Sequence, residues 1–182
     1  MNVLRLLLLF CLLQISYFSN AQDSIPVKVE TDKVTLGLGM GMEYGGFGIN
    51  LLYYPAENVG VFAGVGTALA GMGYNAGLKV RMLSDSARVN FYTMAMYGYN
   101  ASIYIPDAKT YNKVFYGVTF GLGLDTRYNP KKDGYWTFAL LMPLRGSDVS
   151  DYMKDLTNNH NIEFKNELLP IGISIGYRYF LF

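Results

Sequence analysis

The feature that most constrains this chain is an alternation of apolar residues with glycine or polar residues, which recurs in eight runs after residue 32. A period of two places successive side chains on opposite faces of a strand. Short turn-forming segments separate most of the runs, as expected for strands that are joined in chain order. The alternation therefore predicts an all-β chain that folds as an antiparallel up-and-down barrel, although alternation alone does not tell which face points outward. Together with the observations on the faces and on the last strand given below, the prediction is an eight-stranded antiparallel up-and-down transmembrane β-barrel. The predicted strands cover about residues 34–43, 47–54, 59–69, 74–82, 88–104, 114–125, 136–142 and 171–181.

One connection departs from this pattern. Residues 145–168 form a long loop, in which Val149, Tyr152, Met153 and Leu156 recur at helical spacing. Ser147 precedes them as a candidate N-cap, and acidic residues follow it in the first turn. The spacing predicts one short helix in the last long loop.

The start of the chain has the character of a secretory leader. A basic start at Arg5, an apolar run at 6–13 and a small-residue site ending at Ala21 predict a signal peptide over residues 1–21. Residues 22–32 follow as a polar N-terminal lead-in, and the barrel domain is expected to cover 33–182. Without the leader the chain has 14 basic and 14 acidic residues and no cysteine. This balance argues against nucleic-acid binding, which needs a basic excess.

Two observations indicate which face of the strands points inward. Of the 20 glycines, 14 share the face of the polar residues, where they would leave room for larger neighbours inside a narrow barrel. That face carries only six charges within the strands, which suits an enclosed network better than a solvated surface. In the first strand, Leu38, Met40 and Met42 should face outward, Glu43 should end the inner face, and Gly45-Gly46 should make the turn. The inner-face large neighbours are Phe62, Tyr92, Met94, Met96 and Phe115; the charges are Glu43, Lys79, Arg81, Lys113, Asp125 and Arg178.

Aromatic residues cluster near the ends of the strands. Such rings are typical of the girdles that flank the apolar band of a membrane barrel. The predicted girdle contains Tyr53, Tyr54, Tyr97, Tyr99, Tyr128, Tyr135, Trp136, Tyr177 and Tyr179.

The last strand ends in an aromatic residue and has a polar residue, a glycine and two apolar residues at fixed spacing. This pattern resembles the assembly signal of outer-membrane β-barrel proteins, and its residues here are Ser174, Gly176, Tyr179, Leu181 and Phe182. Over residues 33–182 the chain resembles the small eight-stranded outer-membrane barrels of the OmpA/OmpX-like class. The resemblance implies a Gram-negative outer membrane, both termini in the periplasm, and connections one, three, five and seven outside the cell. It also implies contact with membrane lipid and lipopolysaccharide, recognition by the barrel-insertion machinery, and a monomer.

The favoured function is non-enzymatic: a structural or surface-interaction protein whose 145–168 loop is an extracellular contact element or lid. The expected contact residues are Asp148, Tyr152, Lys154, His160, Glu163 and Lys165, and the expected polar network of the lumen is Glu43, Lys79, Arg81, Asp125 and Arg178.

Three alternatives stay open. The chain could be a narrow channel for ions or small solutes, or a soluble lipocalin-like binding barrel with the faces inverted. It could also be a lipid A-modifying enzyme that uses His160, the single histidine, with Ser147, Ser150 and Asp151 on the same loop. One histidine and no cysteine outside the leader favour neither a metal site nor a cofactor.

Overall fold

A computed structural model of the chain describes residues 32–83, 87–106, 108–127, 133–160, 162, 164 and 168–181. The predicted signal peptide lies outside these residues, as does the predicted lead-in except for Asp32. Glu163, Lys165 and Phe182 also lie outside them.

Eight strands pair in chain order, each antiparallel to the next, and β1 pairs with β8 to close the barrel. The predicted all-β fold, an eight-stranded antiparallel up-and-down barrel, is confirmed. The start of β1 and the end of β8 lie at the same end of the barrel, which is here called the terminal end. The opposite end is called the loop end. The strands are β1 Val34–Gly41, β2 Gly46–Ala56, β3 Val59–Thr67, β4 Met72–Arg81, β5 Val89–Ile103, β6 Lys113–Thr126, β7 Gly134–Pro143 and β8 Gly172–Phe180.

The wall of the barrel is apolar outside and polar or small inside. Leu38 of β1 is 65% exposed, whereas its neighbours Gly37 and Gly39 face the lumen beside Tyr44. Ile173 of β8 is 72% exposed, and the next residue, Ser174, is buried. The alternation in the sequence therefore corresponds to a real division between two faces.

The β5–β6 hairpin projects beyond the rest of the wall at the loop end. β4 pairs with β5 only as far as Gly98, and β7 pairs with β6 only as far as Thr119. A bulge between Tyr99 and Ala101 changes the face on which the following β5 residues lie, as bulges do. Because of it, Ala101 and Ile103 share the buried side of the hairpin with Phe115, which lies on β6.

Helix α1, Ser147–His160, packs on this hairpin. Val149 and Leu156 are buried in a cluster with Phe115. The predicted helix is confirmed, but Ser147 is its first residue and it continues four residues past Leu156. Among the described residues, no helix has both the length and the apolar character needed to cross a bilayer.

Strand β1 is shorter than the alternation predicts. It ends at Gly41, and Met42–Tyr44 form a single turn of 3-10 helix that ends at Gly45 in the left-handed conformation, with φ 66°. Met42 packs against the hydrophobic cluster of the lumen, so the expectation that it faces outward is wrong. The alternation in the sequence thus continues through Met42 and Glu43, although these two residues lie in the turn and not in the strand.

Candidate functional site: the filled lumen and the loop end

The turn at 42–45, here called the inner turn, folds into the lumen. Its backbone is held by side chains of three strands: Asn50 donates to the Glu43 carbonyl at 2.9 Å, Asn75 donates to the Met42 carbonyl, and the Glu43 amide donates to the Ser174 hydroxyl at 3.3 Å. The turn therefore has fixed partners on the lumenal wall.

Glycines on the surrounding strands make this position possible. A Cβ added to Gly64 would overlap the carbonyl oxygen of Glu43, and one added to Gly66 would overlap the carbonyl oxygen of Tyr44. Gly73 is in the same close contact with Gly45. These glycines leave space for backbone, a use that the sequence does not reveal.

The Tyr44 ring extends from the inner turn into the lumen and packs against a second group of glycines. A Cβ on Gly39 would lie 2.7 Å from a ring carbon of Tyr44, and one on Gly37 would lie 3.1 Å from another. Gly176 is in similar contact with the Tyr44 hydroxyl. Of the neighbours named from the sequence, Met94 fills the space beside Gly121, with its Cγ 2.8 Å from the position of an added Cβ. The glycine rows accommodate both kinds of neighbour.

Arg178 and Glu43 form an ion pair in the middle of the lumen. Both side chains are 0% exposed, and Arg178 Nη2 also donates to Asn50 Oδ1 at 2.9 Å. Glu43 is brought there by the inner turn, and Arg178 comes from β8. Because each charge has an opposite charge beside it, the pair can remain buried.

Lys79 and Asp125 form a second pair, with Lys79 Nζ 2.9 Å from Asp125 Oδ1. The Lys79 ammonium lies 3.6 Å from the centre of the Tyr92 ring, at cation–π distance. Tyr92 in turn shares a 2.9 Å hydrogen bond with the hydroxyl of Thr137. Strands β4 to β7 are thus joined across the lumen.

A third group of charges closes the terminal end. Arg81 donates from both Nη atoms to the two carboxylate oxygens of Asp32, and Arg127 Nη2 lies 2.7 Å from Asp32 Oδ2. The Arg81 guanidinium stacks 3.8 Å from the centre of the Tyr54 ring. Arg81 Nε lies 3.9 Å from Asp125 Oδ2, which connects this group to the second pair.

Asp32 is buried, and burial opposes its ionisation. The hydrogen bond and positive charge of Arg81, and then the charge of Arg127, outweigh that effect, so the pKa of the Asp32 carboxyl lies below its ordinary value. Asp32 was not expected to belong to the lumenal network because it falls in the polar lead-in. Its only sequence signal is its place two residues before Val34, the first alternating residue.

Three residues take positions other than those expected. Tyr54 and Tyr135 are buried inside the barrel, so they do not belong to an outer girdle. Lys113 is exposed at the loop end, where its ammonium lies 4.5 Å from the centre of the Tyr152 ring of α1. Tyr53, Tyr97, Trp136 and Tyr179 are exposed on the outer wall as a girdle requires.

The lumen is filled by these side chains at every level. Among the described residues, most of the largest fully buried side chains lie on its inner face or in the inner turn, and Leu156 of α1 is an exception. Those of the lumen include Arg178, Tyr44, Tyr92, Tyr135, Lys79, Leu52, Leu141, Glu43 and Asn50. In the described part of the chain, no three His, Cys, Asp or Glu side chains lie close enough together to hold a metal ion.

At the loop end, His160 is far from the hydroxyls proposed as its partners. Its Nδ1 lies 3.1 Å from the hydroxyl of Tyr111, and the two rings are 4.6 Å apart. Ser150 donates to the Ser147 carbonyl at the opposite end of α1, about 15 Å from His160 along the helix axis. Ser147 and Ser150 therefore do not form the expected pair with His160.

Of the other expected contact residues that the structure describes, two are exposed and one packs against the hairpin. Asp148 and Lys154 are exposed on α1. Tyr152 is half-buried: its hydroxyl donates to the Tyr111 carbonyl at 2.9 Å, and its ring packs on Phe115. Tyr152 therefore attaches α1 to the hairpin.

The residues of the expected assembly signal lie along β8 and just after it. Ser174 and Gly176 face the lumen, where they contact the inner turn and Tyr44. Tyr179 and Leu181 are exposed. Two residues of the motif therefore have structural roles inside the barrel.

Together, the strand pairing and the two faces define a class: a closed eight-stranded up-and-down barrel with an apolar outer wall and a charged, filled lumen. No family model matches the chain, and no curated protein matches it. Among solved structures, it is similar to the N-terminal β-barrel domain of Pseudomonas aeruginosa OprF, with a TM-score of 0.45 and 11% sequence identity. The similarity covers 82% of this chain and 100% of that domain.

Proposed function

We propose that this protein is a non-enzymatic barrel of the Gram-negative outer membrane with a structural or surface-interaction role. The observation that carries the proposal is the distribution of polarity: large apolar side chains cover the outside of the wall, while paired charges fill the inside. A soluble barrel has the reverse distribution, because its outer strand faces need polar residues and its lumen buries apolar ones.

In this proposal the terminal end faces the periplasm and the loop end faces outward. Helix α1 then lies outside the membrane, where it packs on the β5–β6 hairpin, and its exposed Asp148 and Lys154 are available to a surface partner. The outer wall contacts lipid and lipopolysaccharide, the last strand is read by the insertion machinery, and the barrel acts as a monomer.

The filling of the lumen supports a closed barrel over a channel. Charges at three levels are paired across it, and Tyr44 and Tyr92 occupy the space between them. Single-channel recording in planar bilayers tests this point. We expect no conductance from the folded protein, and discrete, reproducible steps would support the channel alternative instead.

Gel mobility tests the membrane barrel itself. Membrane fractions are run with and without boiling, because a folded membrane barrel resists the detergent and migrates differently when unboiled. We expect the protein in the outer-membrane fraction with heat-dependent mobility. Recovery in the soluble periplasmic fraction, with no change of mobility on heating, would favour the lipocalin-like alternative.

A further inference from the structure

The loop end contains an open cavity of about 550 Å³ beside the rim of the barrel. It lies between the end of β7, the first half of α1 and Leu168, which precedes β8. Its walls combine one cation, two hydroxyls and three apolar side chains: Arg145, Ser147, Ser150, Val149, Met153 and Leu168.

Among the described residues that form these walls, Arg145 is the only charged one. Its Nη1 donates to the carbonyls of Leu168 and Leu169, at 3.4 and 2.5 Å, which fixes the direction of the guanidinium. Its buried Nε has no acceptor among the described residues. A guanidinium carries five N–H donors in a fork that suits phosphate oxygens, so Arg145 has donor capacity left for an anion.

The outer wall next to the cavity is apolar. Leu144 and Leu169, which neighbour Arg145 and Leu168 in the chain, are both exposed. Below them Leu140 of β7 and Ile173 of β8 are directly paired and both face outward. An apolar surface therefore leads from the rim down the β7–β8 wall.

A cation at the rim above an apolar wall matches the two parts of a phosphate-bearing lipid. We propose that this cavity binds the headgroup phosphate of such a lipid through Arg145, while an acyl chain lies along the β7–β8 wall. This inference rests on the proposed function, since it needs the outer wall to face lipid. It names the lipid contact of that wall by its chemistry and its place.

Nearby acids limit how the headgroup can enter. Asp148 and Asp151 are exposed on the first turns of α1 and are not among the cavity walls. Their negative charge disfavours an approach across the exposed side of the helix. The phosphate is expected to reach Arg145 from the rim side, where Leu144 and Leu169 lie.

Native mass spectrometry of the whole folded chain tests the site. The protein is released from micelles that contain equal amounts of phosphatidylglycerol and of a diacylglycerol, which has the same acyl chains but no phosphate. We expect wild type to retain phosphatidylglycerol preferentially and R145Q to retain about tenfold less, as expected for loss of a hydrogen bond to a charged group. K109Q is the matched control, because Lys109 is an exposed cation at the same end of the barrel and is not among the cavity walls, and this variant should behave as wild type.

Equal retention of phosphatidylglycerol by R145Q and wild type would overturn the inference, as would equal retention of the two lipids by wild type. Complete displacement of the lipid by millimolar inorganic phosphate would show an anion site without the acyl contact. Heat-dependent gel mobility is measured on every variant. If R145Q does not fold, wild type is compared at low and high salt, where only phosphatidylglycerol retention should fall.

These measurements distinguish failure of the membrane barrel from failure of the Arg145 site. A wild-type chain without heat-dependent mobility would refute the membrane barrel. Normal mobility with retention that ignores the headgroup would refute only the Arg145 site.

Discussion

The buried Glu43–Arg178 pair supports the most demanding prediction, because it holds the inner turn in the lumen. Replacing Arg178 with methionine leaves the Glu43 carboxylate without its cation at a position that is 0% exposed. Removing one partner of a buried pair costs about 3–5 kcal/mol, mostly because the remaining charge is buried without compensation. Arg178→Met should therefore lower the free energy of unfolding by about that amount.

Replacing both partners should cost much less than the two single changes added together. In the double variant Glu43→Gln with Arg178→Met, neither charge of this pair remains. The backbone of residue 43 can still accept a hydrogen bond from Asn50 and donate one to Ser174. We expect a coupling energy of about 2 kcal/mol or more in a double-mutant cycle.

Urea unfolding of the barrel in detergent micelles, followed by gel mobility and tryptophan fluorescence, measures all four variants. Lys154→Met is the control, since it removes an exposed cation and should change stability by less than about 0.5 kcal/mol. Additive single changes, with a coupling below about 0.5 kcal/mol, would mean that the two side chains do not meet in the lumen and that the inner turn lies elsewhere.

Three further predictions concern the terminal end, the glycines around the inner turn, and His160 on α1. The pKa of the Asp32 carboxyl is lowered in the folded state, so its stabilising effect is fully present above the unfolded pKa of about 3.8 and is lost as pH falls through the folded pKa. The difference in free energy of unfolding between wild type and Asp32→Asn should therefore be constant near pH 7 and shrink below about pH 4. A difference that does not depend on pH would contradict the ion pair. Gly66→Val should destabilise by about 1–3 kcal/mol because its Cβ overlaps the Tyr44 carbonyl, whereas Gly71→Ala, whose Cβ would lie 3.3 Å from its nearest neighbour, should unfold at nearly the wild-type urea concentration. His160→Ala should leave lipid A mass spectra unchanged, and loss of a lipid A modification in that variant would revive the enzyme alternative.

The alternation was sufficient to predict the barrel, because a period of two is a local property of each strand. It also separated the faces, and Leu38, Met40 and Ile173 are all exposed as it requires. Where the pattern continued past the end of a strand, it misled. Met42 and Glu43 keep the alternation but belong to a turn, and the positive φ angles of Gly41, Gly45 and Gly46 mark the change of direction.

Features that depend on distant strands could not be read from the sequence. The bulge at Tyr99 and Ala101 follows from the way β5 and β6 pair beyond their neighbours, and no local motif announces it. Tyr54 and Tyr135 look like girdle residues because they lie near strand ends, yet they face the lumen, where Tyr54 stacks on Arg81. Proximity to a strand end does not distinguish the two faces.

The lumenal charges show the same limit in another form. The shared face of the strands predicts that five charged residues lie together in the lumen, but the sequence does not tell which of them form ion pairs. Lys79 meets Asp125, and Arg178 meets Glu43 only because the inner turn carries Glu43 inward. Asp32 and Arg127 join from beyond the ends of the strands, where alternation carries no information.

The central claim is that the outer wall faces lipid, and spin labels along β6 test it most directly. The only cysteine of the chain is Cys11, in the predicted leader, so single cysteines can be placed at successive positions from Val118 to Asp125. In reconstituted bilayers, labels at Val118, Phe120 and Leu122 should collide readily with oxygen and poorly with a water-soluble nickel chelate, whereas labels at the inward positions Thr119 and Asp125 should not. High nickel accessibility at the outward positions would contradict the claim and place that wall in water.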